Sequence, residues 1–133
     1  MIVSYVNNHS CAGAAATVGA LEYVTNSTAG ITIGKPGPML LDILFQTQGL
    51  DKSRAIMVGD RLDTDIEFGR AGGIDTLLVL TGVTTRKLAM TASGDQVATY
   101  GIASLGDVGK GLQISKISPQ PSPSSPKGDL LAA

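Results

Sequence analysis

An apolar run that stops at a cluster of acids restricts the folds open to this chain of 133 residues. Ala55–Val58 reads as a buried strand, and Gly59 breaks it before the acidic segment that runs from Asp60 to Asp65. In an open α/β sheet, ligands bind outside the carboxyl ends of the strands. Carboxylates clustered at such an end can hold a hard cation such as Mg2+. The stretch therefore predicts an α/β protein with its functional site at the end of this strand.

A second apolar run supports a parallel sheet. Thr76–Leu80 shows no alternation with polar residues, which is typical of a strand that is covered on both faces. Between the glycine-rich turns, Met39–Gln48 reads as a helix that begins after Pro38 and ends at Gly49. We expect four side chains of this helix to be largely buried: Leu40, Leu41, Ile43 and Leu44.

The other elements have weaker patterns. Residues 1–10 show no clear pattern, and 12–24 read as a short helix. Further helices are predicted at 66–71, 86–91 and 104–113, with extended segments at 31–33 and at 96–100, the latter reaching as far as Ile102. From Ser115 onwards proline and serine dominate, so residues 115–133 are predicted to be a disordered tail.

Composition excludes several classes of function. The net charge of -1 argues against a nucleic-acid partner, which would need a basic surface. No apolar run approaches the length of a membrane span, and the first residues do not form a convincing signal peptide. The single cysteine, Cys11, cannot form an internal disulfide, which indicates a reducing compartment. We therefore predict a cytoplasmic protein without a nucleic-acid or membrane partner.

Three motifs in order resemble those of the haloacid dehalogenase superfamily. They are Gly34-Lys35-Pro36, then Gly59-Asp60-Arg61-Leu62-Asp63-Thr64-Asp65, then Thr76-Leu77-Leu78-Val79-Leu80-Thr81-Gly82-Val83-Thr84-Thr85. The group that the chain resembles most is that of the 4-nitrophenylphosphatases and phosphoglycolate phosphatases. The resemblance extends from about residue 12 to about residue 112 and is densest between Gly34 and Thr85.

The resemblance implies an α/β fold with part of a doubly wound, Rossmann-like parallel sheet. The N-terminal core strands of the family and most of its cap domain would be missing. Residues 1–30 would be a cap remnant and connection, 31–114 the C-terminal half of the hydrolase core, and 115–133 the tail. The chain thus resembles the carboxyl-terminal part of a longer phosphatase or a truncated product.

The resemblance also gives roles to three charged residues. Asp60 would be a ligand of Mg2+, and Asp65 would be the second acid, either near the metal or holding its waters and the loop. Lys35 would pair with the family's nucleophile and with the phosphoryl group, and stabilise charge during transfer, as a catalytic and phosphate-binding residue. The structural alternatives are a turn aspartate, a helix cap and a surface lysine. Asp63 is predicted to be a capping or solvated residue.

The family nucleophile has no counterpart in the sequence. It is an aspartate in an Asp-x-Asp-Gly motif after an early apolar strand, and no such run occurs here. We therefore expect a segment of a Mg2+-dependent phosphatase for small phosphorylated metabolites that is inactive alone. It would act with a complementing N-terminal half or as a homo-oligomer. The alternatives are an inactive product, a binding module and a receiver-like signalling domain.

Overall fold

The computed structural model of the chain describes residues 3–6, 9–28, 30–109 and 115–116, with side chains described for 13–28 and 30–109. In chain order, the helices and strands are β1 (Val3–Val6), β2 (His9–Ala12), α1 (Ala14–Thr25), α2 (Met39–Gln48), β3 (Ile56–Gly59), α3 (Glu67–Ala71), β4 (Asp75–Val79), α4 (Arg86–Met90), β5 (Tyr100–Ile102) and β6 (Ser115–Lys116). A single π-helical turn, Leu62–Ile66, connects β3 to α3.

The central sheet has the order β3-β4-β5-β6. β3, β4 and β5 are parallel, whereas β6 is antiparallel to β5. The two apolar runs of the sequence are therefore adjacent parallel strands, as predicted, and their carboxyl ends share one edge. The predicted burial is correct for β4 and wrong for β3, which lies at the edge of the sheet in the described part of the chain and contains no buried residue. The fold is a partial Rossmann-like α/β sheet, in agreement with the predicted class.

One face of this sheet packs against helices. The face carries Met57, Thr76 and Leu78, and a Cβ added to Gly69 of α3 would lie 2.5 Å from Thr76 Cγ2 and 2.8 Å from Met57 Cβ. Glycine at this position therefore lets α3 approach the strands closely. Leu78 belongs to a buried cluster with Leu62, Ile66 and Ala98. This packing anchors both ends of the π-helical turn to the sheet.

The opposite face carries a separate buried cluster of Leu77, Val79 and Ile102. On β3, which lies at the sheet edge in the described part of the chain, two side chains of this face remain accessible. Ile56 is 46% exposed and Val58 is 36% exposed. Parallel strands are usually covered on both faces, so these two side chains are more accessible than is usual for such a strand.

Helix α2 forms where it was predicted, but its predicted burial is wrong for three of four side chains. Only Leu41 is buried, in a cluster with Phe68 and Ile74, while Leu40, Ile43 and Leu44 are between 39% and 44% exposed. A single stripe of α2 faces the core, because only Leu41 and, one turn later, Phe45 reach the neighbouring elements. Gly49 ends the helix in the left-handed conformation, as predicted.

The third parallel strand occupies only the last part of the predicted segment, which reached as far as Ile102. Residues 94–96 form a 3-10 turn, and the strand occupies only Tyr100–Ile102. The reason is a reciprocal pair of threonines. The Thr99 backbone N–H donates to Thr76 Oγ1 at 2.8 Å, and the Thr76 N–H donates to Thr99 Oγ1 at 3.1 Å. Side-chain oxygens thus replace carbonyls as acceptors at Thr76 and Thr99, and the pairing of β4 with β5 begins at the next residues, Leu77 and Tyr100.

The remaining differences lie at the ends of the chain. β1 and β2 form an antiparallel pair in a part of the chain where no pattern was recognised. Residues 31–33 have no strand partner among the described residues, and 104–113 shows only a 3-10 turn, Leu105–Asp107, with 110–114 outside the described part. The predicted disordered tail begins with two strand residues, β6, and its residues 117–133 are likewise outside.

The helix predicted at 12–24 is α1, and the helix predicted at 86–91 is α4. In the part of the chain that the structure describes, no helix is long and apolar enough to cross a membrane.

Candidate active site

The candidate active site lies at the edge where β3 and β4 end. Gly59, the last residue of β3, is paired with Leu78, one residue before β4 ends. Asp60 follows β3 directly, and the loop that contains Gly82 and Val83 follows β4. In parallel sheets, loops at this edge form the ligand-binding crevice. The topology therefore brings two of the three sequence motifs together.

An ion pair brings the remaining motif, Gly34-Lys35-Pro36, to the same place. Lys35 Nζ lies 2.7 Å from Asp65 Oδ1, and the other oxygen, Oδ2, accepts the Arg61 backbone N–H at 3.2 Å. The Asp65 side chain is 7% exposed, whereas that of Lys35 is 47% exposed. The buried Asp65 carboxylate thus fixes the position of the Lys35 ammonium, which solvent and ligands can reach.

The π-helical turn determines where Asp65 points. The N–H groups of Asp65 and Ile66 both donate to the Arg61 carbonyl at 3.1 Å, and buried Leu62 and Ile66 hold the two ends of the turn. The α-helix predicted at 66–71 begins at Glu67. The wider turn places Asp65 against the strand end, where a Cβ on Gly59 would collide with its side chain. Such turns are frequent at functional sites.

Asp60 is held from the other side, by the loop after β4. Its Oδ2 accepts the Val83 N–H at 2.7 Å, and its backbone carbonyl accepts the Thr84 N–H at 3.0 Å. No donor from residues 30–109 contacts its second carboxylate oxygen, Oδ1. Asp60 therefore has one oxygen fixed by the protein and one available to a ligand.

Asp63 does not join this group. It accepts two hydrogen bonds from the Arg61 guanidinium, at 3.2 Å from Nε and 3.1 Å from Nη2. The Arg61 side chain is 16% exposed and that of Asp63 is 39% exposed. This forked pair stiffens the turn between Asp60 and Asp65. Asp63 was predicted to be a capping or solvated residue; it is partly exposed, but it pairs with Arg61 and caps neither this turn nor α3.

The acids present do not form a complete metal site. No group of three or more His, Cys, Asp or Glu side chains that could hold a metal ion occurs among the described residues. Both oxygens of Asp65 already accept hydrogen bonds, which leaves Oδ1 of Asp60 as the available oxygen. Mg2+ is commonly bound by one or two carboxylates together with waters and substrate phosphate. The donor set therefore fits part of a Mg2+ site.

A carboxyl group with a lowered pKa lies outside this site, before β3. Hydrogen bonds from Ser53, first from its hydroxyl at 2.7 Å and then from its backbone N–H at 2.8 Å, hold the pKa of Asp51 below its ordinary value of 3.8. Asp51 thereby caps the 3-10 turn Lys52–Arg54 that precedes β3.

The sequence reasoning missed the part played by Gly82 and Val83. Both lie in the third motif, yet the motif gave neither of them a role. The signal was the glycine itself, since glycine next to a functional loop often marks a close approach of backbone to another group. No sequence pattern identifies that group as Asp60, which lies 23 residues from Val83 in the chain.

Comparison with known proteins agrees with this geometry. A family model described as HAD-hydrolase-like matches residues 32–107, which is more than half of the chain. Phosphoglycolate phosphatase 2 from Arabidopsis thaliana is 44% identical over 78 residues, covering 59% of this chain and 26% of that protein.

Solved structures extend the similarity to the fold. The chain superposes on 4-nitrophenylphosphatase from Thermotoga maritima with a TM-score of 0.71 and 32% identity, covering 85% of this chain and 42% of that one. A glycerol phosphate phosphatase from Mycobacterium tuberculosis, solved in complex with magnesium, gives a TM-score of 0.70 at 31% identity, covering 81% and 32%. The chain spans less than half the length of each of these relatives.

Proposed function

The chain belongs to the HAD-like hydrolases, in the group of the phosphoglycolate and 4-nitrophenyl phosphatases, and we propose that it provides the carboxyl-terminal part of a Mg2+-dependent phosphatase site. The observation that carries the proposal is the Lys35–Asp65 ion pair beside Asp60 at the carboxyl edge of the sheet. The substrates would be small phosphate monoesters, which is the chemistry that the names of the relatives describe.

Lys35 would bind the phosphoryl group of the substrate. Its ammonium is half exposed, and its position is fixed by a carboxylate that is nearly buried. A cation held in place before the reaction stabilises negative charge at little reorganisation cost. Asp65 would thus act through Lys35, and its second hydrogen bond, from the Arg61 N–H, keeps it from turning away.

Asp60 would be the Mg2+ ligand contributed by this chain, through Oδ1. When bound, Mg2+ would neutralise charge that develops on the phosphoryl group. Asp65 was predicted either to lie near the metal or to hold its waters and the loop. Its two hydrogen bonds support the second alternative, because neither of its oxygens is without a donor.

The attacking aspartate would come from outside these residues. The sequence has no Asp-x-Asp-Gly run after an early strand, and no described side chain of the site is placed as a nucleophile beside Lys35. We propose a complementing N-terminal half as the partner, with a homo-oligomer as the alternative. The accessible edge of β3, with Ile56 and Val58, supports a neighbour there. The net charge of -1 supports the absence of a nucleic-acid partner, and a cytoplasmic location stays a prediction.

A chimera tests the proposal. Residues 32–107 replace the matching segment of the Thermotoga 4-nitrophenylphosphatase, and hydrolysis of 4-nitrophenyl phosphate is measured against Mg2+ concentration. We expect Mg2+-dependent turnover that Asp60→Asn reduces by about 100-fold or more, because the charge that holds the cation is lost. Asp63→Asn is the matched control and should have a small effect, since Asp63 pairs only with Arg61. Turnover in a folded chimera that is equal with and without Asp60→Asn would contradict the proposal.

A further inference from the structure

The loop after β4 positions Asp60 in two ways. The Val83 backbone N–H donates to its carboxylate, and Gly82, which has no side chain, leaves the space that the carboxylate occupies. We propose that Gly82 and the Val83 N–H are positioning residues, which fix the Asp60 carboxylate so that Oδ1 is presented to a divalent cation. The inference rests on the proposed function, in which Asp60 is the ligand, and it adds the residues that act through Asp60.

The first observation is steric. A Cβ on Gly82 would clash with Asp60 Oδ2 and would lie 2.5 Å from Cγ and 2.6 Å from Cβ of the same residue. Gly82 is not among the described glycines with positive φ, so backbone conformation does not demand glycine there. What demands it is space, because the carboxylate occupies the position that any side chain would take.

The second observation is the hydrogen bonding. The Val83 N–H donates to Asp60 Oδ2 at 2.7 Å, at the short end for an N–H donor and typical of a charged acceptor. The Thr84 N–H donates to the Asp60 carbonyl at 3.0 Å. Two successive amides therefore clamp the side chain and the main chain of one residue. Because the clamp uses only Oδ2, the other oxygen is left for the cation.

The consequence is that Asp60 is preorganised by β4 and not by its own loop alone. Groups that orient a metal ligand typically change metal affinity by about 10–100-fold when they are altered. Gly82→Ala should displace the Asp60 carboxylate, break the Val83 hydrogen bond and lower cation affinity by an amount in that range. Gly106→Ala is the matched control, since its Cβ would meet only Ser104 Oγ, at 3.7 Å.

The first test needs no metal. In the 133-residue chain, Gly82→Ala should move the 15N–1H resonance of Val83 upfield and speed its hydrogen exchange, and Gly106→Ala should do neither. Gly82→Ala should also lower Tm by about 5 °C or more. That loss should disappear in an Asp60→Ala background, where the colliding carboxylate is gone. An equal loss of Tm in both backgrounds, or an unchanged Val83 amide in Gly82→Ala, would overturn the inference.

The second test uses Mn2+ as the probe and reads its paramagnetic broadening of the Asp60 and Val83 amide signals. We expect Gly82→Ala to need about 10–100 times more Mn2+ than wild type for the same broadening, with Gly106→Ala unchanged. Equal broadening in wild type and Gly82→Ala would overturn the inference and leave Asp60 as a ligand. Equal broadening in wild type and Asp60→Asn would instead overturn the proposed function, while the Val83 amide still reports the clamp by itself.

Discussion

The Lys35–Asp65 ion pair should be energetically coupled, and the chain contains a built-in comparison. Lys35 Nζ and Asp65 Oδ1 are 2.7 Å apart, with side-chain exposures of 47% and 7%. Lys52 Nζ and Asp42 Oδ1 are 3.1 Å apart, with exposures of 44% and 49%. The two pairs have the same chemistry and differ mainly in the burial of the carboxylate. A double-mutant cycle on each pair measures what that burial contributes.

The expected magnitudes follow from the contacts. Asp65→Ala removes a charge-assisted bond to Lys35 and the acceptor of the Arg61 N–H, which together should cost about 2–4 kcal/mol of unfolding free energy. Lys35→Met should cost about 1–2 kcal/mol, discounted because half of the lysine is solvated. If both single variants lose stability mainly because the ion pair is broken, the coupling energy of the pair is about 1–2 kcal/mol. The exposed Lys52–Asp42 pair should give about 0.5 kcal/mol or less.

The assay is urea unfolding of the 133-residue chain, followed by circular dichroism because the sequence has no tryptophan. Each cycle uses two single variants, the double variant and wild type, so losses that belong to one side chain alone cancel. For Lys52 this removes its contact with the Phe45 ring, 5.6 Å from Nζ to the centroid. Coupling at Lys35–Asp65 that does not exceed coupling at Lys52–Asp42 would refute the view that the buried carboxylate fixes the lysine.

Two further predictions concern stability. Gly69→Ala should destabilise the chain by about 1–3 kcal/mol in urea unfolding, because its Cβ would press against Met57 and the sheet. Gly19→Ala in α1 is the control and should not destabilise the chain, because its Cβ would have nothing within 4 Å. An equal loss of stability in both variants would contradict the packing account. Ser53→Ala should raise the pKa of Asp51 toward 3.8 in an NMR titration. Because folding lowers the pKa of Asp51, wild type should be more stable than Ser53→Ala above pH 3.8. This advantage should be lost as the pH falls through the folded pKa of Asp51. A difference in stability that does not depend on pH would contradict the prediction.

The sequence predicts the parts of the fold that rest on long apolar runs. β3 and β4 were identified because both are apolar runs without polar alternation, although only β4 is buried. β5 was displaced in the prediction because its start depends on hydrogen bonds between Thr76 and Thr99, which are 23 residues apart. The burial of α2 was overestimated because a helical pattern shows which residues are apolar and not which neighbours are present to cover them.

The same distinction applies to the site. Lys35, Asp60 and Asp65 could be named because their motifs resemble those of the haloacid dehalogenase superfamily. The sequence did not predict which groups these residues contact. Lys35 contacts Asp65 across 30 residues of chain, and Asp60 is held by a backbone amide whose identity no side-chain pattern reveals. Tertiary geometry therefore decides which acid holds the lysine and which has a free oxygen.

The most direct test of the central claim is hydrolysis of 4-nitrophenyl phosphate with Mg2+ by the purified 133-residue chain, alone and mixed with the N-terminal half of the Thermotoga relative. In the proposed site, Asp60, Asp65 and Lys35 position charge and the attacking aspartate comes from another segment; catalytic groups that act as a unit contribute little separately. The account predicts no turnover above background by the chain alone and turnover in the mixture that Asp60→Asn abolishes. Turnover by the chain alone, or turnover in the mixture that is indifferent to Asp60→Asn, would contradict it.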